Sequence, residues 1–299
     1  MVEVVVMPVL QRVSVSVKNI LLASDFSSAS DKAAAYAKAL ALNYRSCVAI
    51  AHVFDPSVVT SYVEAVLGLP VKERLQVSNE SLERLRQELN RAGVEATVSL
   101  PEGHRPHVEL LKLAREHDTD LIVAGTHSRT GLERLVVGST AEELIRHAFC
   151  PVLTVGPHAV DPPDGPLVFQ RIIYATDFSA EAAKAAVFAL SFAQDSGAHL
   201  YYCHVARPQD TIEERKSQDV IFKAALNKMI PESSYEWCSP EVVVEHGNAA
   251  ESILELAGRV NADLIVLGAR NASFWLTHVE HGLTPDLLAE ATCPVMTVC

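Results

Sequence analysis

The sequence predicts two tandem α/β domains, each a parallel sheet with helices on both faces. Three observations carry this reading. The chain has 299 residues, which at roughly 150 residues per domain is enough for two. It is written twice: KNILLASDFS at 18–27 returns as QRIIYATDFS at 170–179, DLIVAG at 120–125 as DLIVLG at 263–268, and Cys150-Pro151-Val152 as Cys293-Pro294-Val295. Within each copy, short Val/Ile/Leu runs alternate with stretches of helical period. That is the pattern of βαβ units around a strand set buried on both faces.

In the first copy the apolar runs predict strands near 18–24, 47–53, 94–100, 119–125 and 151–155. Ser27 is a ready N-cap for an Ala-rich helix running to about Asn43, with its apolar residues at helical spacing. Further helices are expected over 71–92, 106–117 and 139–148. The charged run 83–91 reads as a solvated helix face. In the second copy, strands are expected near 171–176, 198–204, 241–245, 263–268 and 294–298, and helices near 179–196, 210–229, 248–260 and 283–291. The repeats are offset by 152 residues at the first motif and 143 at the later two, so the last quarter aligns without gaps. The domain boundaries follow: an arm or extra strand over 1–17, a first domain over 18–155, a linker over 156–170 and a second domain over 171–299. The linker, GPHAVDPPDGPLVFQ, is rich in Pro and Gly and lacks period.

Composition narrows the function. The chain carries 25 Lys+Arg against 37 Asp+Glu, a net charge of −12. This disfavours nucleic-acid binding, which rewards cations against phosphate, and a polybasic membrane surface. No apolar run approaches the ~20 residues of a transmembrane helix. Glu3, Arg12 and Lys18 disfavour a signal peptide, so a cytoplasmic protein is expected. Six cysteines without C-x-x-C spacing read as free, buried thiols. His52 and His204 read as structural histidines at equivalent strand ends. His104, His107 and His127 lack the spacing of a metal site, and no metal is expected.

In open α/β sheets ligands bind beyond the carboxyl ends of the strands. Asp25 stands at the end of the first strand and His52-Val53 at the end of the second. Gly125 ends the fourth, followed by a loop closing on Gly138-Ser139-Thr140 at a helix start. Such a start offers unpaired N–H groups and a positive dipole end to an anion. Arg129 and Arg134 add charge, and Asp25 can accept from a ribose or adenine donor. No Walker loop, G-x-G-x-x-G or G-x-S-x-G motif is present, which weakens kinase, dehydrogenase and hydrolase readings.

A strand-one Asp, a loop that follows G-x2-G-x9-G-[ST] except at Ser128, and a Cys-Pro before the last strand resemble the universal stress protein family, and the resemblance covers both halves. The resemblance implies five-stranded parallel Rossmann-like domains in strand order 3-2-1-4-5, with the domains paired through their final strands and homodimerisation as a further expectation. It implies ATP, with or without Mg2+, as ligand, and Asp25, Val53 (through its backbone), Gly125, Ser128, Gly138, Ser139 and Thr140 as the binding residues. Ser128 stands where the pattern has glycine. It brings strain of ~1 kcal/mol or more if the position needs positive φ, or a hydroxyl donor if it does not. In the second half Ser128, Gly131 and Gly138 become Asn271, Phe274 and His281, and Arg129 and Arg134 become Ala272 and Thr277. Nucleotide binding is therefore expected mainly in the first half. The expected function is a nucleotide-binding stress-response or regulatory protein with no catalytic residue assigned. The alternatives are an interaction protein of the same fold that binds no nucleotide, and a slow ATPase.

Overall fold

The computed structural model describes residues 12–57, 70–126, 138–208, 211–268 and 283–299. Of these, 17–157 and 161–167 form one compact unit, and 12–16, 158–160 and 168–299 form the other. The stretch expected to be a linker thus contributes residues to both.

The first unit runs β1 (Asn19–Ala23), α1 (Ser28–Tyr44), β2 (Cys47–Ala51), α2 (Val71–Arg91), β3 (Ala96–Ser99), α3 (Pro106–Glu116), β4 (Leu121–Gly125), α4 (Ser139–His147) and β5 (Val152–Val155). The sheet order is β3-β2-β1-β4-β5, parallel throughout. The chain winds outward from β1 to β3, then crosses back to β4 and β5. Right-handed crossovers therefore put helices on both faces, and the switch point falls between β1 and β4. Ile20, Leu21, Leu22, Ile50, Ile122, Val123 and Leu153 are fully buried, which explains their unbroken apolar runs.

The second unit repeats the plan: β6 (Arg171–Ala175), α5 (Ala180–Ser196), β7 (His199–Ala206), α6 (Ile212–Met229), β8 (Ser239–His246), α7 (Ala249–Val260), β9 (Leu264–Gly268), α8 (Leu283–Glu290) and β10 (Val295–Val298). Its order is β8-β7-β6-β9-β10, again parallel. β7 and β8 run to Ala206 and His246, beyond their expected ends. A 3-10 turn over Glu232–Glu236 joins α6 to β8; the sequence reading lacked it. Residues 12–16 of the N-terminal arm belong to this unit. Val15 N donates to Ser191 Oγ (2.9 Å), and Arg12 reaches Asp195 (3.4 Å) and lies 5.1 Å over the Trp237 ring. No strand is formed by residues 12–18.

All six cysteines are free. Cys203, Cys238 and Cys293 are buried as expected; Cys47 is exposed, and Cys150 and Cys299 lie between. Cys47 opens β2, and its thiol donates to Glu95 (3.4 Å) at the sheet margin instead of packing in the core. Among the described residues no helix is long and apolar enough to cross a membrane.

Candidate functional site

The local sequence Ser24-Asp25-Phe26-Ser27 turns the chain from β1 into α1. Ser24 Oγ accepts from Phe26 N (3.2 Å), and Asp25 Oδ1 accepts from Ser27 N (3.1 Å). Short side chains that bond the backbone two residues on favour such turns. Together they hold Phe26 at φ 59°, a region bulky residues avoid. Ser27 caps α1 by accepting from Ser30 N. The second copy repeats the device: Thr176 Oγ1 accepts from Phe178 N (3.0 Å), Asp177 Oδ1 from Ser179 N (2.9 Å), and Phe178 has φ 62°.

The Phe26 ring lies 4.6 Å from the His52 ring. His52 Nδ1 donates to the Ser24 carbonyl (2.8 Å). His204 makes the same bond to the Thr176 carbonyl (2.8 Å) and packs on Phe178 and Phe222 at 4.7 and 4.3 Å. A carbonyl only accepts, so Nδ1 carries the proton in both. Burial holds the His204 pKa below the usual imidazole range, against the opposing pull of the Thr176 carbonyl and Asp177. Both histidines are held by a backbone carbonyl at equivalent strand ends.

Val53 follows the end of β2. His52 N donates to Ser99 O (3.1 Å), Phe54 N to Pro101 O (2.8 Å) and Gly103 N to Phe54 O (3.0 Å). Residues 52 and 54 therefore face the β3 side. By strand alternation, the Val53 N–H and C=O face the opposite side, where β1 has ended and the Asp25 turn begins. The next residues wall this mouth. Asp55 accepts from Ser57 N (2.8 Å), Ser57 Oγ (2.6 Å) and His104 Nδ1 (2.9 Å). The Ser57 hydroxyl, and secondarily His104, hold its carboxyl below the usual range. Arg74, 5% exposed, reaches back from α2 to the carbonyls of Asp55 and Pro56 (3.3 and 2.8 Å).

Gly125 ends β4 directly beneath the first turn of α1. A Cβ there would stand 2.5 Å from the carbonyl carbon and oxygen of Ala29 and 2.9 Å from Ser30 N. Gly268 is in the same position against α5, with Ala182 N at 2.4 Å and the Glu181 carbonyl carbon at 2.5 Å. The glycine is thus required for close helix–strand approach in both halves, and that packing accounts for it without a ligand. Asp120 and Asp263, the first residues of the repeated DLIV motif, serve the far edge. Asp120 Oδ2 accepts from Lys18 N (2.7 Å) and Asn19 N (3.0 Å), and Asp263 from Gln170 N and Arg171 N. They fasten the entry to β1 and β6.

Gly138 stands at the N-cap of α4 and makes no side-chain cap. Ser139 and Thr140 form the first turn, at the carboxyl edge of the sheet, because α4 follows β4. The structure thus brings Asp25, Val53, Gly125, Gly138, Ser139 and Thr140 to one edge. Ser128, with Gly131, Arg129, Arg134 and His127, lies outside the described residues, as do positions 271–282 of the second half. Sequence reasoning missed Ser30, whose hydroxyl joins the Asp25 carboxylate. The D-x-S-x-x-S spacing and its loss at Ala182 were the available signal.

Two doubly wound parallel strand sets, each opening its switch point beside an Asp-Phe-Ser turn, define a tandem protein of the doubly wound α/β class. The family model for universal stress proteins matches residues 16–156 and 169–298, nearly the whole chain, and the chain belongs to that family. A universal stress protein of Methanocaldococcus jannaschii is 34% identical over 149 residues, covering 46% of this chain and 81% of its own. A protein of Staphylococcus epidermidis described as a universal stress protein is 33% identical over 142 residues, covering 47% and 85%. A crystal structure of a universal stress protein from Archaeoglobus fulgidus shares the fold, with a TM-score of 0.67 at 20% identity, covering 94% of this chain and 97% of its own.

Proposed function

We propose that the first half binds ATP at the carboxyl edge of its sheet and that the second half does not, making the protein a nucleotide-responsive regulator. The observation that carries the reading is the juxtaposition of Asp25 and Val53. A carboxylate and an outward-facing peptide stand at the open end of β1, a pairing suited to the sugar and base of a nucleotide. The uncapped start of α4 lies along the same edge and offers N–H groups to phosphates. In the second half the sequence replaces Gly138 by His281 and removes two arginines. An activated nucleophile is not needed for such a role.

Isothermal titration of the full chain with ATP tests this. One site per chain is expected, abolished by Gly138→Trp and little changed by His281→Trp. Two equivalent sites, or a single site unaffected by Gly138→Trp, would overturn the assignment. Absence of binding favours the interaction-protein reading, and phosphate release lost in Ser139→Ala favours the slow ATPase.

A further inference from the structure

We propose that Ser30 is the positioning residue for Asp25, and that its loss at Ala182 is a second reason, independent of the glycine loop, why nucleotide recognition belongs to the first half. The inference rests on the reading that Asp25 contacts nucleotide.

Ser30 lies in the first turn of α1 and is 5% exposed. Its hydroxyl donates to Asp25 Oδ1 and accepts from Asp25 N (3.1 Å), so it grips one residue at both side chain and backbone. Ser27 Oγ donates to the same Oδ1 (2.6 Å) and lies 3.4 Å from Ser30 Oγ. Ser27 N adds a third donor. Three donors converge on Oδ1. The carboxylate is thereby held in one rotamer before any ligand arrives, and the ordering entropy is removed from the binding step. A buried hydroxyl bonded to a charged oxygen is among the stronger side-chain bonds.

The second half separates this role from folding. Asp177 keeps its turn and Ser179 keeps its cap, accepting from Ala182 N (3.2 Å). Ala182 has no hydroxyl to give. The turn forms without one, so folding does not demand Ser30. Gly125 contributes from below: its missing Cβ lets the Ala29–Ser30 backbone sit close enough for this grip. Gly268 does the same under Ala182, which has no hydroxyl with which to reach Asp177. The glycine therefore serves the fold in both halves, and the serine distinguishes them.

A double-mutant cycle on the full chain tests this, with wild type, Ser30→Ala, Asp25→Ala and the double variant titrated with ATP, adenosine and inorganic tripolyphosphate. Thermal unfolding is followed in parallel. Ser30→Ala is expected to fold, as Ala182 does, and to weaken ATP and adenosine by the same factor, on the order of tenfold. Tripolyphosphate binding should not change. In the Asp25→Ala background Ser30→Ala should cost nothing further, because a residue acting through Asp25 has nothing left to position. Unchanged adenosine affinity in Ser30→Ala, or a loss that adds in full to that of Asp25→Ala, overturns the positioning role while the ATP site stands. A wild type that binds neither ATP nor adenosine overturns the site itself, and this inference with it.

Discussion

Gly125→Ala tests whether the strand-end glycines serve packing. The added methyl would meet Ala29 carbonyl carbon and oxygen at 2.5 Å and Ser30 N at 2.9 Å. All three are backbone atoms, so no side chain can swing aside and the first turn of α1 must lift from β4. Overpacking of this kind costs about 1–3 kcal/mol, and more where the backbone itself must move. For a unit of this size, 3 kcal/mol is a fall in Tm of roughly 6–12 °C. Gly268→Ala, with Ala182 N at 2.4 Å, should lower stability by a similar amount although no ligand is assigned to that half. Gly258→Ala is the control: it lies within α7 and a Cβ there meets nothing within 4 Å. Replacing that helical glycine should raise stability by roughly 0.5–1 kcal/mol. Calorimetry without nucleotide reads all three. If Gly125→Ala and Gly268→Ala unfold at the wild-type temperature, the packing account is wrong, and phosphate approach becomes the better reason for Gly125.

Burial pushes the thiols of Cys203 and Cys293 up to about 12 and that of Cys238 up to about 11. In native protein at pH 8, iodoacetamide should modify exposed Cys47 and spare Cys203 and Cys293 until denaturant is added. Peptide mass spectrometry checks this, and native labelling of Cys203 at the denatured rate would contradict the buried core. Burial also lowers the pKa of His107 and His204. Their folded forms bind fewer protons than the unfolded chain, so stability is full above the unfolded value of about 6.5 and falls as pH drops toward the lower folded values. Urea midpoints should decline from pH 7 to pH 5, with a shallower slope in His204→Asn; identical slopes would remove His204 from the account.

The fold was legible because its signals are local. Runs such as DLIV and NILLA are buried on both faces, and Ser27 and Ser179 cap their helices by side-chain bonds one turn long. The strand order came with the family resemblance, since spacing alone does not choose which strands become neighbours. What stayed hidden depends on distant contacts. Glu232–Glu236 follows Pro231 without apolar period, so nothing marked it as a 3-10 turn. β7 and β8 run on through Val205, Ala206 and His246, past the residues expected to close them, because the ladder between the two strands still pairs there. The work of Asp120 on Lys18 and Asn19, and of Gly125 on Ala29, appears only when the sheet places β4 beside β1.

The duplication supplies a control within the chain. Both halves keep the strained phenylalanine, the histidine bonded to the carbonyl at the end of the neighbouring strand, the strand-end glycine and the Asp that fastens the first strand. Each of these has a packing or hydrogen-bond cause that operates where the ligand loop has changed as well as where it has not. They are features of the scaffold, and their retention says little about nucleotide. The differences are what bear on function. Ser30 becomes Ala182, Gly138 becomes His281, and Arg129 and Arg134 become Ala272 and Thr277. On the proposed reading, Ser30 serves the sugar-and-base end of the edge, and the other three positions belong to the loop assigned to phosphate. A single drift in one loop would have left the first untouched. If the first half binds ATP as proposed, change at both ends with the scaffold kept between them is the pattern expected when the second half is retained for its architecture alone.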